Sequence, residues 1–275
     1  MDELVQSLSI KTLLYHDKSE LQEVVIFDNP LCGRVLAIDG AIQTTERDEY
    51  IYHEMLVHVP LMAHGAAEDV LIIGGGDGGA LEELLKHPVK RATLVEVDRR
   101  VIDLSREHLR SICGAAFEDV RSEVVITDGA RFIAGTDQRF DIILVDAPDP
   151  VGPAKALFTE AFYQNCKRCL KPGGIVVTQN GVPWMQRDEL FHSLRALNES
   201  FVDTTAYLAP VPTYNGGFLA FGWATDEESY RQHDVHELHQ RLVSRPLGAR
   251  YYNADIHLGS FALPNDVREI VQAAL

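Results

Sequence analysis

Four acidic residues follow short apolar runs, at the points where each run gives way to a loop. Asp77 lies in the glycine-rich stretch LIIGGGDGGALE, Glu96 ends the run RATLVE, and Asp146 and Asp149 lie close together in LVDAPDPVGPA. Like charges in one pocket repel one another unless a cation or a proton lies between them. If these runs are neighbouring strands of one sheet, their acids indicate a site for a cationic ligand.

The glycine-rich stretch supports a nucleoside rather than a phosphate. Its spacing is Gly74-x-Gly76-x-x-Gly79, and Glu96 follows twenty positions after Gly76. An acid at this distance is typical of a carboxylate that accepts both ribose hydroxyls of adenosine. Asp77 would repel a phosphate bound at the start of the next helix. It would also repel the carboxylate of ordinary S-adenosylmethionine, whereas a nucleoside with a positive sulfur and an amine tail suits every acid.

Two other acids lie at the ends of apolar runs. We predict that Asp98 caps the helix that follows it, as Asp before a helical run often does. Asp128, in VVITDGARF, fits two roles: it could accept a hydrogen bond from an adenine amino group, or it could be a helix N-cap. The residues alone leave both open.

From residue 69 onward, short apolar runs alternate with amphipathic segments. Five runs are each followed by apolar residues at helical spacing: DVLIIG, RATLVEVD, EVVITD, FDIILVDA and GGIVVTQN. This alternation is typical of βαβ units in a parallel sheet with helices on both faces. Two further runs, at 204–210 and 217–225, predict an antiparallel edge. We therefore predict a doubly wound, Rossmann-like α/β fold of the methyltransferase type, with ligands beyond the carboxyl ends of the strands.

The first 47 residues have a different pattern. Apolar runs at 12–16, 22–28 and 34–40 are separated by Asn-Pro and Gly turn signals and predict a small antiparallel β unit. Helical spacing follows from residue 48 to about His64, and Pro60 could kink or end this helix. We expect a β-stranded domain over residues 1–47 and a Rossmann-like domain over residues 48–275, packed as one body.

Composition argues against several classes of partner. The 275 residues include 41 acidic and 25 basic side chains, for a formal charge of −16. Nucleic acids and anionic membranes need a basic surface, so we expect neither as a partner. The longest apolar runs have the length of strands, and MDELVQSLSIK does not resemble a signal peptide. These features predict a cytoplasmic protein.

The histidines and cysteines do not form a metal motif. Cys166 and Cys169 are spaced to share a helix face, and no second pair completes a zinc site. His53 and His58, in HEMLVH, are five positions apart and fall on different faces of a helix. We therefore predict no metal.

Several stretches, in order, resemble the polyamine aminopropyltransferases, the family of spermidine synthase. They cover nearly the whole chain: AIDGAIQTTERDEYIYHEML, GGGDGG, LVEVD, TDG, DAPDPVGPAKALF, VTQNG, PTYNGG and RYYNADIHLGSFALP. The resemblance implies transfer of an aminopropyl group from decarboxylated S-adenosylmethionine to putrescine, which gives spermidine and 5′-methylthioadenosine. It implies a co-substrate without a permanently bound cofactor, a small cationic diamine as acceptor, and a homodimer or homotetramer.

The resemblance also implies roles for individual residues. Asp146 would be the catalytic acid-base residue. The nucleoside would lie beside the glycine loop at Gly74 and Gly76 and be held by Gln22, Glu96, Asp128, Gly129 and Pro153. Asp77 and His53 would line the channel for the aminopropyl group and the polyamine. The acceptor would lie among Tyr52, Gln43, Gln179, Asp149 and Tyr214.

The sequence departs from the family pattern at two places, both at the acceptor end. Family members commonly carry an N-terminal aromatic residue and a glutamate that close over the acceptor, where this chain has MDELVQSLSI, and Ala147-Pro148 replaces two small polar residues. Cadaverine, agmatine and spermidine are therefore alternative acceptors. A methyltransferase with an S-adenosyl donor and a polyamine or nucleoside sensor without turnover are alternative functions.

Overall fold

The computed structural model describes residues 5–149 and 152–275, apart from the side chain of Pro153. Within these residues the chain forms one sheet of four strands and one of seven. The described helices include none that is both long and apolar enough to cross a bilayer. The cytoplasmic location remains a prediction.

The four-stranded sheet is antiparallel and is formed in chain order by β1 (Thr12–Lys18), β2 (Glu23–Asn29), β3 (Gly33–Ile38) and β4 (Ala41–Thr45). The apolar runs predicted the first three strands but not β4. Asp39 and Gly40 connect β3 to β4, and both have positive φ angles, of 49° and 79°. Asp-Gly is the residue pair that favours this tight hairpin turn.

The seven-stranded sheet is mostly parallel and confirms the predicted α/β fold. Its strands are β5 (Asp69–Gly74), β6 (Arg91–Glu96), β7 (Ser122–Ile126), β8 (Phe140–Asp146), β9 (Leu170–Gln179), β10 (Asp203–Pro210) and β11 (Phe218–Thr225). Their order is β10-β11-β9-β8-β5-β6-β7, and β10 and β11 form the predicted antiparallel edge. From β5 the chain first adds β6 and β7 on one side and then returns to place β8 on the other. The strand order therefore reverses between β5 and β8, where this fold binds ligands.

Ten α-helices accompany the sheets in the described residues. They are α1 (Glu49–His64), α2 (Gly79–Leu85), α3 (Arg99–His108), α4 (Arg110–Cys113), α5 (Gly129–Gly135), α6 (Glu160–Cys169), α7 (Arg187–Asn198), α8 (Val235–Ser244), α9 (Ala254–Ser260) and α10 (Asn265–Ala274). Helix α1 continues past Pro60 and ends at His64, and it is capped by Gly65, which has a φ of 77°. The last three helices were not predicted from the sequence.

The core explains why the central strands are continuously apolar. Along β5, Val70 and Ile72 belong to the buried cluster that includes α1, whereas Leu71 and Ile73 belong to the cluster that includes α6 and α7. All four side chains are at most 1% exposed. A parallel sheet covered on both faces requires this pattern, because neither face of the strand meets water.

The two sheets are joined through α3. Val24 and Ile26 of β2 form one buried cluster with Val101 and Leu104 of α3. Alternate residues of β2 therefore pack against the helix that follows β6. This packing places the N-terminal sheet beside the edge of the predicted site.

Candidate active site

The glycine loop after β5 packs directly against the end of β8. Gly74 has a φ of 89°, and a Cβ atom there would lie 2.0 Å from the main-chain oxygen of Asp146. The N–H of Gly75 donates to that same oxygen at 2.9 Å. A side chain at Gly74 would push the strands apart, so this glycine is needed to bring the loop and Asp146 together.

Asp77 connects this loop to α2 and lies beside His53 of α1. Its Oδ1 accepts a hydrogen bond from the N–H of Gly79 at 2.9 Å, and its Oδ2 lies 3.5 Å from Nε2 of His53. A Cβ atom on Gly79 would lie 2.2 Å from the His53 ring. Glycine at this position lets the imidazole reach the start of α2.

His53 lies between two carboxylates. Its Nδ1 is 2.8 Å from Oε2 of Glu49, one turn earlier in α1, and its side chain is 2% exposed. Burial lowers the pKa of His53, but Asp77 and Glu49 outweigh burial and raise it well above its usual value. Burial raises the pKa of Asp77, but His53 and the Gly79 N–H hold it below its usual value. The two side chains form an ion pair.

Asp146 ends β8 next to this pair. Its Oδ1 accepts a hydrogen bond from the Tyr52 hydroxyl at 2.5 Å. Burial, and then the charge of Asp77, raise the pKa of Asp146 to about 6, although His53 and Tyr52 act in the opposite direction. One side-chain N or O atom from each of His53, Asp77 and Asp146 lies within 4.8 Å of the others. These atoms could enclose a small cation.

Glu96 lies at the end of β6, on the other side of the glycine loop. It is 8% exposed, and its Oε1 accepts a hydrogen bond from the N–H of Asp98 at 2.9 Å. Burial raises its pKa to about 7, although the N–H groups of Val97 and Asp98 lower it. A Cβ atom on Gly76 would lie 2.9 Å from Oε2 of Glu96, so only glycine leaves this oxygen accessible from the loop.

Gln22 reaches this edge from the N-terminal sheet. Its Nε2 donates to Oδ2 of Asp98 at 3.1 Å. Oδ1 of Asp98 accepts from the N–H of Arg100 at 2.9 Å, which confirms the predicted cap of α3. This contact between the N-terminal sheet and α3 therefore brings Gln22 near Glu96 through the residue that caps the helix.

The structure gives Asp128 one of its two predicted roles. Its Oδ1 accepts a hydrogen bond from the N–H of Arg131 at 2.7 Å and caps α5. Gly129 begins that helix, and a Cβ atom there would lie 2.3 Å from the Ile73 side chain. A contact between Asp128 and adenine stays a prediction. The side chain of Pro153, also predicted at this site, lies outside the described residues.

Two tyrosines form the wall next to Asp146. The rings of Tyr52 and Tyr214 lie edge to face, with their centroids 6.1 Å apart. The Tyr214 hydroxyl donates to the main-chain oxygen of Gln43. The Gln43 side chain instead donates to the oxygen of Ala41 at 3.2 Å, so its described contact with this wall is made by its main chain.

Asp149 and Gln179 lie at the same sheet edge as Asp146. Nε2 of Gln179 is 3.4 Å from Oδ1 of Asp149. Oε1 of Gln179 is buried and has no hydrogen-bond partner among the described residues. An ammonium group would satisfy this oxygen, since a buried polar atom without a partner is unfavourable.

The sequence did not reveal a second pair of polar residues near Asp149, namely Gln186 and Glu189. Gln186 donates through Nε2 to Asp149 at 2.8 Å and to Glu189 at 3.1 Å. Burial, and then the charge of Asp149, raise the pKa of Glu189 to about 7. The spacing of three residues at the start of α7 shows that Gln186 and Glu189 share a helix face. It does not show that this face meets the loop after β8.

Two family profiles match the chain. The spermine/spermidine synthase domain matches residues 49–234, and the spermidine synthase tetramerisation domain matches residues 2–46.

Two relatives with similar sequences are named polyamine aminopropyltransferases. The polyamine aminopropyltransferase 1 of Pseudomonas aeruginosa is 51% identical over 267 residues, which are 97% of this chain and 93% of the relative. The polyamine aminopropyltransferase of Serratia proteamaculans is 50% identical over 260 residues, which are 94% of this chain and 91% of the relative.

Solved structures agree with the sequence comparisons. A spermidine synthase in complex with the transition state analogue AdoDATO superposes with a TM-score of 0.91 at 37% identity, over 96% of this chain and 90% of that one. The spermidine synthase of Thermotoga maritima superposes with a TM-score of 0.88 at 35% identity, over 97% of this chain and 89% of that one. The resemblance deduced from the sequence motifs is thereby confirmed.

Proposed function

Because the chain belongs to the spermine/spermidine synthase family and is a polyamine aminopropyltransferase, we propose that it transfers the aminopropyl group of decarboxylated S-adenosylmethionine to putrescine. The products are spermidine and 5′-methylthioadenosine. The observation that carries this proposal is the cluster of Asp77, Asp146 and His53, whose atoms lie within 4.8 Å of one another. Carboxylates held this close favour cationic substrates.

The donor fits because its charges match the acids. Decarboxylated S-adenosylmethionine has a sulfonium and an ammonium but no carboxylate. Asp77 lies beyond β5, between the glycine loop and α2, where it would attract that ammonium and repel the carboxylate of the ordinary donor. Glu96 is on the nucleoside side of the same loop and would accept the ribose hydroxyls.

Asp146 serves as the base. The acceptor amine resembles a lysine ammonium, with an ordinary pKa near ~10.4, so it must lose a proton before it can attack. Tyr52 holds Oδ1 of Asp146, and Oδ2 lies beside Gly75, where a Cβ atom would be 2.8 Å away. Oδ2 is therefore the oxygen that receives the proton. General base catalysis of this kind contributes roughly 10²- to 10⁴-fold in rate.

The transfer itself is one displacement. The amine nitrogen forms a bond to the carbon beside the sulfonium, the carbon–sulfur bond breaks, and its electron pair stays on sulfur. The sulfonium becomes a neutral thioether, and the proton lost by nitrogen goes to Asp146. Alignment of the two substrates makes the largest contribution, because the leaving group needs no stabilisation of negative charge.

The remaining residues take the roles that the resemblance implies. Gln22, Glu96, Asp128, Gly129 and Pro153 hold the nucleoside beside Gly74 and Gly76. Asp77 and His53 line the channel, and the acceptor lies among Tyr52, Gln43, Gln179, Asp149 and Tyr214. The tyrosine wall and the buried Oε1 of Gln179 support the acceptor side of this assignment.

We propose that residues 1–47 are an assembly domain, that residues 48–275 are the catalytic domain, and that the protein is a homodimer or homotetramer. The tetramerisation profile at residues 2–46 supports a homo-oligomer. The face of the N-terminal sheet opposite α3 carries its own apolar cluster, centred on Phe27 and Val35. Leu31, next in the chain to Cys32 of this cluster, is 71% exposed and could contact another copy.

An acceptor panel with decarboxylated S-adenosylmethionine tests the function. We expect putrescine to have a higher kcat/KM than cadaverine, diaminopropane, agmatine or spermidine. If another amine has a higher kcat/KM, that amine is the acceptor, and the proposed aminopropyl transfer still stands. Tighter calorimetric binding of ordinary S-adenosylmethionine would instead favour a methyltransferase. Ligand binding without turnover of any amine would indicate a sensor.

A further inference from the structure

Glu49 was not among the residues assigned to the site, yet it makes the tightest polar contact of His53. Its Oε2 lies 2.8 Å from Nδ1, whereas Asp77 lies 3.5 Å from Nε2. The His53 side chain is 2% exposed and the Glu49 side chain is 13% exposed. The contact is therefore largely screened from water and is stronger than a surface pair.

This contact determines which ring nitrogen keeps its proton. An ionised carboxylate only accepts hydrogen bonds, so Nδ1 of His53 must be the donor to Glu49. Nε2, which faces Asp77, can then be either N–H in the imidazolium or a lone pair in the neutral ring. Two flanking carboxylates favour the imidazolium while the site is empty.

Several groups from different elements face the space around His53. They are Glu49 and Tyr52 of α1, Asp77 of the loop before α2, Asp146 of β8, and Tyr214 of the segment before β11. These neighbours are acids or phenols. Of the described groups facing this space, His53 is the one that becomes a cation, and it partly balances Asp77.

We propose that Glu49 is a positioning residue that keeps a proton on Nδ1 of His53, and that His53 acts as an internal counter-cation for Asp77 until the ammonium of the donor replaces it. The inference rests on the proposed function, which supplies the aminated donor. When the ammonium arrives, the proton on Nε2 passes to solvent. The Nε2 lone pair, held in place by the bond from Nδ1 to Glu49, then accepts a hydrogen bond from the ammonium.

The raised pKa of His53 agrees with an imidazolium in the empty site. A second cation beside Asp77 would repel that imidazolium and lower its pKa. Donor binding is therefore linked to proton release, by up to about one proton per site. Methylthioadenosine has no ammonium and should leave the proton on His53, so any release from Glu96 at the ribose is common to both ligands.

Calorimetric titrations in buffers of different ionisation enthalpy measure this proton directly. At pH 7.5 we expect decarboxylated S-adenosylmethionine to release more protons from the wild-type protein than methylthioadenosine does, by up to about one per site. Glu49→Gln should release much less, because His53 loses one of its two anions and is already largely neutral. The amide can also donate to Nδ1 and move the ring proton to Nε2. The KM for the donor should then rise by roughly tenfold, more than kcat falls.

Glu237→Gln is a matched control. His233, just before α8, and Glu237, in α8, form an i,i+4 contact between the same atoms, Nδ1 and Oε2, also at 2.8 Å, with the acid after the histidine. This variant should release the same number of protons as the wild type. His53→Gln should abolish the difference in proton release between the two ligands, and the wild-type titration decides the matter even if Glu49→Gln does not fold.

The results separate this inference from the proposed function. Donor binding and turnover with no more proton release than methylthioadenosine gives would overturn the counter-cation alone. Equal proton release by Glu49→Gln and wild type would overturn the role of Glu49. A donor that does not bind at all would overturn both the inference and the proposed function.

Discussion

Tyr52 binds Asp146 through one oxygen only. The hydroxyl donates to Oδ1 at 2.5 Å, from a helix that begins only three residues before Tyr52. Asp146 itself ends a strand at the centre of the sheet. The contact thus joins two rigid elements, and it orients the carboxylate while leaving Oδ2 for the proposed acceptor.

Tyr52→Phe tests this orientation. The variant removes a hydrogen bond that lowers the pKa of Asp146, so that pKa should rise above about 6. A base must be ionised, so the acidic limb of the kcat/KM profile should move to higher pH. Looser alignment should also lower kcat by roughly 10- to 100-fold. An unshifted limb with full kcat would contradict the orienting role.

Asp146→Asn tests the base itself. The amide keeps the shape of the side chain but cannot take a proton, so turnover should fall by at least roughly 10²- to 10⁴-fold. Binding of methylthioadenosine, measured by calorimetry, should stay within a few-fold. Asp137→Asn, at an exposed position before β8, is the control and should keep full activity. An active Asp146→Asn enzyme would refute the assignment.

Asp77→Asn separates the charge of Asp77 from its role in the loop. The amide oxygen can still accept the hydrogen bond from Gly79, so the loop should keep its shape. Loss of the carboxylate should weaken the aminated donor by roughly tenfold or more, since hydrogen bonds to charged groups are worth about 1.5–3 kcal/mol. Affinity for methylthioadenosine should barely change. Equal losses for both ligands would mean that Asp77 only shapes the loop.

From the raised pKa of Glu96 we expect nucleoside binding to depend on pH. Its pKa is raised to about 7, and only the ionised carboxylate accepts both ribose hydroxyls. Affinity for methylthioadenosine should therefore be greatest above pH 7 and fall as pH decreases through 7. Glu96→Gln should bind more weakly and lose this slope, whereas Asp103→Asn, on the exposed face of α3, should keep it. A slope that persists in Glu96→Gln would locate the titrating group elsewhere.

The fold of the central sheet could be predicted because its strands must be apolar on both faces. Val70 to Ile73 show this in an unbroken run, and Gly74 and Asp77 follow at the strand end. The acids could be grouped because parallel strands end at a common edge. Local sequence therefore contained both the architecture and the side of the sheet on which the acids gather.

The C-terminal helices could not be predicted in the same way. They are short, and the connection between α8 and α9 is held by a distant residue: Glu54 of α1 accepts hydrogen bonds from the N–H groups of Arg250, Tyr251 and Tyr252 at 2.7–2.8 Å. Helices of this length are marginal without tertiary packing. The contact of Gln43 also depends on tertiary packing and could not be predicted. Its main-chain oxygen, rather than its side chain, contacts Tyr214.

Gln186, like Glu189, is a residue of the proposed acceptor end that only the structure reveals. Its Oε1 accepts from the N–H of Val182 at 2.7 Å, so its Nε2 must face the acids. That nitrogen donates to Asp149 and Glu189, two carboxylates that would otherwise repel each other. The amide therefore holds Asp149 in position next to Gln179.

Gln186→Leu should disturb the acceptor end alone. Without the amide, Asp149 and Glu189 would separate or share a proton, and the KM for putrescine should rise by roughly 10- to 100-fold, the effect of one charged hydrogen bond. The KM for the donor should stay within a few-fold in steady-state assays with each substrate varied in turn. Gln164→Leu is the control, because Gln164 makes a comparable bond to Glu160 on the exposed face of α6. If the KM for donor and acceptor rose equally, Gln186 would order the whole site rather than the acceptor end.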